Sequence, residues 1–184
     1  MNNDLLESCP VLPEDIKAYS RSIYIERLLS VADWTNILTY FQTAPNQYTM
    51  VDMEGYGGKI GTVEESNCAF IHRKVTMDFF CDAFFNQQTN DQKKNEDWLN
   101  AFMRFMEQYG NGHSYQNYPN RDQANYKWAY WGRYYNLLVA IKKKYDPNNF
   151  FHYMQSIGAL IGPEYESQQE RPISTDNPMH YETY

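Results

Sequence analysis

No apolar run in this chain approaches the ~20 residues needed to span a membrane. Its first residues, Met1-Asn2-Asn3-Asp4, are polar and acidic, unlike a secretory leader. Cysteine is scarce. Cys9, Cys68 and Cys81 are the only three in 184 residues, so at least one is unpaired, and their spacing fits no metal site. Buried free thiols are the expectation. The four histidines, His72, His113, His152 and His180, are dispersed and form no ligand set. Positive charge is in deficit: 16 Lys and Arg stand against 23 Asp and Glu, a formal charge of -7. That balance argues against nucleic acid and anionic membranes as partners. The one basic run, Lys142-Lys143-Lys144, falls where the last turn of a helix is expected, and cations there suit the helix dipole.

Aromatic residues are abundant, at 17% of the chain, and 17 residues are tyrosine. Tyrosine carries apolar area with a polar tip, which suits a half-wet site or an interface. The length is enough for one domain with a real core.

Taken in order, residues 1–15 read as a flexible lead-in with Pro10 and Pro13. Lys17 to Leu28 reads as strand. Ser30 with Asp33 three residues on marks a helix start. Trp34, Ile37, Leu38 and Phe41 follow at helical spacing, so that helix lays one face on a sheet. Tyr48 to Val63 reads as strand broken by glycine, with Met50, Asp52 and Glu54 on one face. The glycines at 55, 57, 58 and 61 allow a bulge or close backbone approach. They do not make a phosphate loop, which needs Gly-x-x-x-x-Gly-Lys-Ser/Thr ahead of a helix. Cys68 to Phe85 reads as strand, and Thr89 to Tyr109 as a helix with Trp98, Phe102, Phe105 and Tyr109 on its apolar stripe. Gly110 fits that helix's end.

The next segment is another helix, 125–145. Trp128, Trp131, Tyr135, Leu138 and Ile141 fall on one face, Gly132 permits close approach, and Asp146-Pro147-Asn148-Asn149 turns the chain. Residues 162–184, with Pro163, Pro172 and Pro178, read as a disordered tail. The fold class is therefore α+β, an antiparallel sheet with helices packed on one face.

Two stretches carry a family resemblance. Tyr115-Gln116-Asn117-Tyr118-Pro119, the Tyr130-Trp131-Gly132 helix, Asp146-Pro147-Asn148-Asn149-Phe150-Phe151 and Gln155-Ser156 form one ordered set. Gly57-Gly58-Lys59-Ile60 followed by Ala69-Phe70-Ile71-His72-Arg73 forms the other. Together, over roughly residues 16–158, they resemble the C-terminal portion of the berberine-bridge-enzyme-like family of FAD-linked oxidoreductases, which have a vanillyl-alcohol-oxidase-type fold. The resemblance implies three parts: a partial substrate-binding domain at 16–112, a berberine-bridge-like C-terminal segment at 113–161, and the tail. It also implies FAD as cofactor, with its main binding lobe, including the pyrophosphate loops and tethering residues, outside these residues. Catalysis by this chain alone is not expected.

What the resemblance implies for single residues can be set beside plainer readings. In many oxidases of the family, the tyrosine at the position of Tyr118 is the base that removes a substrate hydroxyl proton. A phenol with pKa ~10 needs a donor-rich or positive setting for that work. The plainer reading is a half-buried strand aromatic. Tyr115 would wall the same pocket, which requires a bulge or turn at Asn117-Tyr118-Pro119, since residues 115 and 118 of a strict strand face opposite ways. Asn117 would lie near the flavin, or else bond local backbone. Glu54, ahead of Gly55-Tyr56-Gly57-Gly58, would contact substrate, or else be an exposed strand carboxylate. A glutamate that some plant members carry on the strand after His72-Arg73 counts to Phe79 here, beside Asp78. Its loss favours oxidation of a simple alcohol or carbohydrate, or no chemistry. His72-Arg73 itself is expected to be structural.

The expected function is thus the C-terminal part of an FAD-dependent oxidase acting on an alcohol or carbohydrate hydroxyl. Its expected partners are an FAD-binding lobe, on the same protein or another chain, and possible copies of itself, since a split sheet leaves an open edge. Two alternatives stand beside it: a non-catalytic remnant that binds a protein or ligand, and a carbohydrate-binding module that uses the tyrosines as stacking platforms.

Overall fold

Three stretches pair into one antiparallel sheet in the computed structural model, which describes residues 12, 15–86 and 91–158. Strand β1 is Ile16–Ile25, β2 is Met50–Gly55 and β3 is Met77–Asn86. β3 lies between the other two. Side chains alternate along a strand, so the odd residues of β1 and β3 share one face. Ile23, Ile25, Phe79, Cys81 and Ala83 on that face are buried. Helices α1 (Val31–Phe41) and α2 (Gln92–Met106) cover it through Ile37, Leu99, Phe102 and Met106. The sheet with helices on one face agrees with the expected fold class.

α1 begins with the anticipated capping box. Ser30 Oγ accepts from the Asp33 N–H, and Asp33 accepts from the Ser30 N–H. Its buried stripe is rotated from the expected one. Leu38 is 52% exposed, and Tyr40 turns inward instead, ring to ring with Phe102 at 5.4 Å and Phe105 at 5.0 Å. Contact with α2 sets that rotation, and a single helix's spacing does not contain it.

Other expected boundaries also shift. The strand expected at Cys68–Phe85 occupies Met77–Asn86 only. Before it, Arg73 donates to the Phe70 and Ile60 carbonyls and contacts Cys68 Sγ, which folds residues 60–73 into an irregular loop. α2 starts at Gln92, and Thr89 and Asn90 fall outside the described residues. So do residues 1–11 of the lead-in, with Cys9, and residues 162–184 of the tail, with His180. Of the two described cysteines, both free, Cys81 is buried as expected and Cys68 is exposed.

The helix expected at 125–145 is broken. α3 is Tyr126–Trp131, a 3-10 turn covers Gly132–Tyr134, and α4 is Tyr135–Tyr145. Gly132 ends α3 at φ +48, a conformation open to glycine, and a Cβ there would stand 3.0 Å from Ile71 Cδ1. Close approach of the 60–73 loop is what its lack of a side chain permits. Around the break, Tyr126, Ala129, Tyr130 and Trp131 form a second, smaller core with Tyr135, Leu138 and Ile157.

The link between the two cores runs along the free edge of β1. The Asn111 N–H donates to the Tyr24 carbonyl at 2.9 Å, and the Tyr24 N–H donates to the His113 carbonyl at 3.0 Å. Gly110 makes the approach possible, because a Cβ there would sit 2.2 Å from Ile23 Cδ1. Ile23 is buried and has nowhere to go. Gly110→Ala is expected to destabilise the fold by about 1–3 kcal/mol. A urea midpoint equal to wild type would show that this crossing is looser than described.

Candidate functional site

The face of the sheet away from α1 and α2 carries the polar chemistry. β-strand register fixes it as a grid. Tyr24, Asp78 and Glu54 form one row across the three strands, and Ser22, Phe80 and Asp52 the next. Two carboxylates therefore stand side by side on adjacent strands, which is unfavourable without compensation.

A turn brings the tyrosines over this grid. The Tyr115 N–H donates to Ser22 Oγ at 2.9 Å, anchoring the segment to β1. The Tyr118 N–H donates to the Tyr115 carbonyl at 3.0 Å, closing a turn over residues 115–118. This turn, rather than an extended piece, puts both rings on one side, 5.2 Å apart and edge to face. The Tyr118 ring lies over Phe80 at 4.6 Å, and its hydroxyl donates to Glu54 Oε1 at 3.0 Å. Tyr24 completes the enclosure. Its hydroxyl is 3.3 Å from that of Tyr56, and its ring stacks on His72 at 4.0 Å. The 110–118 link is therefore what assembles the site, joining residues more than 60 positions apart.

Asp78 is the unusual member. It is fully buried, and neither carboxylate oxygen has a hydrogen-bond partner. Burial, and then the neighbouring Glu54 charge, push its pKa up to about 7. An orphaned buried carboxylate is costly; such groups cluster at functional sites, where they await a donor. Tyr118 is shifted the other way for a base: burial, and then its bond to Glu54, push the phenol up to about 12. Burial, and then the nearby His113, hold His72 down at about 3, so it stays neutral. Burial also raises Tyr24.

Of the residues singled out in the sequence, Tyr118, Tyr115 and Glu54 meet here. Asn117 does not reach the carboxylates. It is exposed at the turn, and its Nδ2 donates to the Tyr115 hydroxyl at 2.7 Å. His72 and Arg73 serve structure, one stacked on Tyr24 and the other closing the 60–73 loop. The count from His72-Arg73 reached Phe79, with Asp78 beside it. Phe79 points into the helix-side core, 6.2 Å from the Phe102 ring, and Asp78 lies buried on the other face of the sheet. The strand does present a carboxylate. The signal was an acid at an alternate position in the otherwise apolar run Met77-Asp78-Phe79-Phe80-Cys81. Tyr24 had no local signal and is found only through register, and Tyr56, just past β2, only through its contact with Tyr24.

The site is thus a sheet face bearing carboxylates and tyrosines, with a turn folded over it from a C-terminal helical segment. Comparison with known proteins gives it a context. Residues 114–158 match the family described as Berberine and berberine like. The uncharacterized FAD-linked oxidoreductase YgaK of Bacillus subtilis is 27% identical over 139 residues, covering 74% of this chain and 30% of that protein. Cannabidiolic acid synthase-like 2 of Cannabis sativa is 32% identical over 123 residues, covering 57% of this chain and 22% of that one. Among solved structures, Physcomitrella patens BBE-like 1 superposes at TM-score 0.68 with 28% identity, over 85% of this chain and 33% of its own. Berberine bridge enzyme from Eschscholzia californica shares the fold at TM-score 0.68 and 19% identity. The chain resembles the C-terminal portion of the berberine-bridge-enzyme-like family of FAD-linked oxidoreductases and spans about a third or less of these relatives.

For FAD, the described residues offer chemistry on the substrate side alone: an orphaned carboxylate beside hydroxyl-bearing rings can accept an alcohol's proton. They do not make a pyrophosphate cradle. The Ser30 end of α1 is closed by its own Asp33 carboxylate, and the glycines at 57 and 58 lie in an open turn followed by two short 3-10 turns and no α-helix.

Proposed function

We propose that this chain supplies the substrate side of an FAD-linked oxidation of an alcohol or carbohydrate hydroxyl, alongside an FAD-binding lobe outside these 184 residues. The buried, partnerless Asp78 carboxylate carries this reading. Asp78 has no exposed surface, so a substrate hydroxyl reaches its free Oδ by displacing the side chains that cover it, and the carboxylate then takes the proton. The Tyr118 hydroxyl donates its hydrogen bond to Glu54, so its oxygen keeps lone pairs with which to accept from a second substrate hydroxyl. Tyr115 forms the wall, and Asn117, exposed at the rim, is the side chain that would meet the cofactor. Bound FAD supplies the acceptor for the hydride that leaves the carbinol carbon. Polyols fit the arrangement because two acceptors, Asp78 and Tyr118, call for two hydroxyls.

The test uses the chain with and without a flavin-binding lobe of the family. Alone, it is expected to retain no flavin absorbance through gel filtration and acid precipitation. Paired, it should bleach the flavin when given an alcohol or sugar. Tyr118→Phe should lower the pair's kcat/KM by about 10–10²-fold, the loss of one orienting hydrogen bond near a charge. The pH profile should keep its shape, because Asp78 sets it. A loss of 10³-fold or more with the profile abolished would make Tyr118 the base instead. Tight sugar binding with no bleaching under any pairing would favour the carbohydrate-binding module.

A further inference from the structure

Beside the first half of β1 lies a cleft of about 380 Å³ that the chemistry at Asp78 does not use. Tyr19, Arg21, Glu96, Asn117, Arg121 and Asp122 line it, and Tyr118, whose hydroxyl reaches Glu54, is the wall it shares with the other site. Arg21 is its unusual member. The residue is only 7% exposed, and its Cζ lies 5.8 Å from the centre of the Tyr19 ring. Nη1 donates to the Ser20 carbonyl at 3.0 Å. Nε is buried with no hydrogen-bond partner, and Nη2 stands 3.6 Å from Asp122 Oδ2, too far for a hydrogen bond. Nε–H and one Nη2–H of a guanidinium point the same way, so this side of Arg21 is a fork shaped for the two oxygens of a carboxylate. A buried cation with no bonded carboxylate is costly, and burial pulls the Arg21 pKa below the usual guanidinium value.

We propose that this cleft binds a small molecule bearing a carboxylate, held side-on by Nε and Nη2 of Arg21. Asp122 is the group it displaces. The Asp122 side chain is 50% exposed, and its other cation, Arg121, stands 3.9 Å away at the surface. The fork itself has almost no exposed surface, so a ligand enters as Asp122 turns out toward Arg121. Two charge-assisted bonds then replace one loose contact, which favours the ligand's carboxylate over that of Asp122. Glu96 is the other acid facing the cleft. Arg21 and Arg121 balance Glu96 and Asp122, so the lining accepts one carboxylate in exchange for another and does not gather anions in number. Two sources share this chemistry: the acid end of the oxidised substrate, reaching past Tyr118, and a separate small acid.

Calorimetric titration of the chain with gluconate, and with glucitol as its uncharged counterpart, tests the site without flavin or turnover. Its failure would therefore leave the function proposed above standing. Gluconate should bind about tenfold or more tightly than glucitol, the worth of hydrogen bonds to a charged group. Arg21→Lys keeps the charge, loses the fork and should erase that preference, with circular dichroism unchanged. Asp122→Asn removes the competing carboxylate, and should tighten gluconate about threefold or more while glucitol stays the same. This variant keeps Arg21, so it decides the question if Arg21→Lys does not fold. Equal binding of the two ligands, a preference kept in Arg21→Lys, or weaker gluconate binding in Asp122→Asn would overturn the proposal. The source is read with a flavin-binding lobe supplied, the one arm that rests on the proposed function. Gluconate that bleaches the flavin, with KM raised about tenfold and kcat kept in Arg21→Lys, brings the carboxylate as part of the substrate. Gluconate and acetate that bind at Arg21 without bleaching identify a separate small acid.

Discussion

Replacing Asp78 with Asn is expected to slow flavin reduction in the assembled enzyme by about 10²–10⁴-fold, the usual worth of a positioned base. Asn keeps the shape and removes the charge, so substrate affinity should change far less than the rate. Wild-type reduction should rise with pH through about 7, as Asp78 loses its proton. The variant's residual rate should be flat over that range. Glu54→Gln removes the neighbouring negative charge and should move the wild-type inflection to lower pH, since Glu54 is the second cause of the shift.

The same substitution should stabilise the fold. A carboxylate whose folded pKa is raised binds its proton more tightly when folded. Stability is therefore lost as pH rises from the unfolded value, ~3.9, to about 7, and the full penalty persists above that. Three units correspond to about 4 kcal/mol at most. Asp78→Asn should thus raise the melting temperature of the chain at pH 8 and leave it unchanged near pH 4. A variant that is slower and more stable is the signature of a group kept for function. Unchanged melting at pH 8 would mean that water or a cation already satisfies Asp78, and the reading of it as a poised base would fall.

The second large effect lies under the site. Phe102 is fully buried on α2, with its ring near those of Phe79, Tyr40, Phe41 and Trp98 at 6.2, 5.4, 6.0 and 5.1 Å. Phe102→Ala should cost about 3–5 kcal/mol, transfer plus the cavity left between helices and sheet. That is a large part of a small domain's total stability. Urea unfolding followed by tryptophan fluorescence measures it, with the denaturant slope unchanged. Leu38→Ala on α1 should stay within about 0.5 kcal/mol, because the side chain is half exposed. The reverse ranking would mean that the helices sit on the sheet in a different rotation. Because Phe79 adjoins Asp78 on β3, collapse around the missing ring should also blunt activity before the chain unfolds.

Local sequence was enough wherever the deciding contact lies within a few residues. The Ser30–Asp33 box set the start of α1 and Asp146-Pro147-Asn148-Asn149 turned the chain after α4, whereas α2, expected to run to Tyr109 and Gly110, ends at Met106. Alternation along β2 put Glu54 and Asp52 on one face. The spacing of Tyr115 and Tyr118 required a turn, and a turn is there. Order of motifs gave the family. What the sequence could not contain was anything set between distant strands. Register alone puts Asp78 between Tyr24 and Glu54, and a slip of one residue would exchange it for Phe79. The rotation of α1 that buries Tyr40 and exposes Leu38 comes from α2, and the break at Gly132 comes from a loop 60 residues earlier. Chemistry followed the same division. Composition supplied tyrosines and acids in number, but a carboxyl held near pH 7 needs burial and a like charge beside it, and only the folded sheet brings those two conditions to one atom.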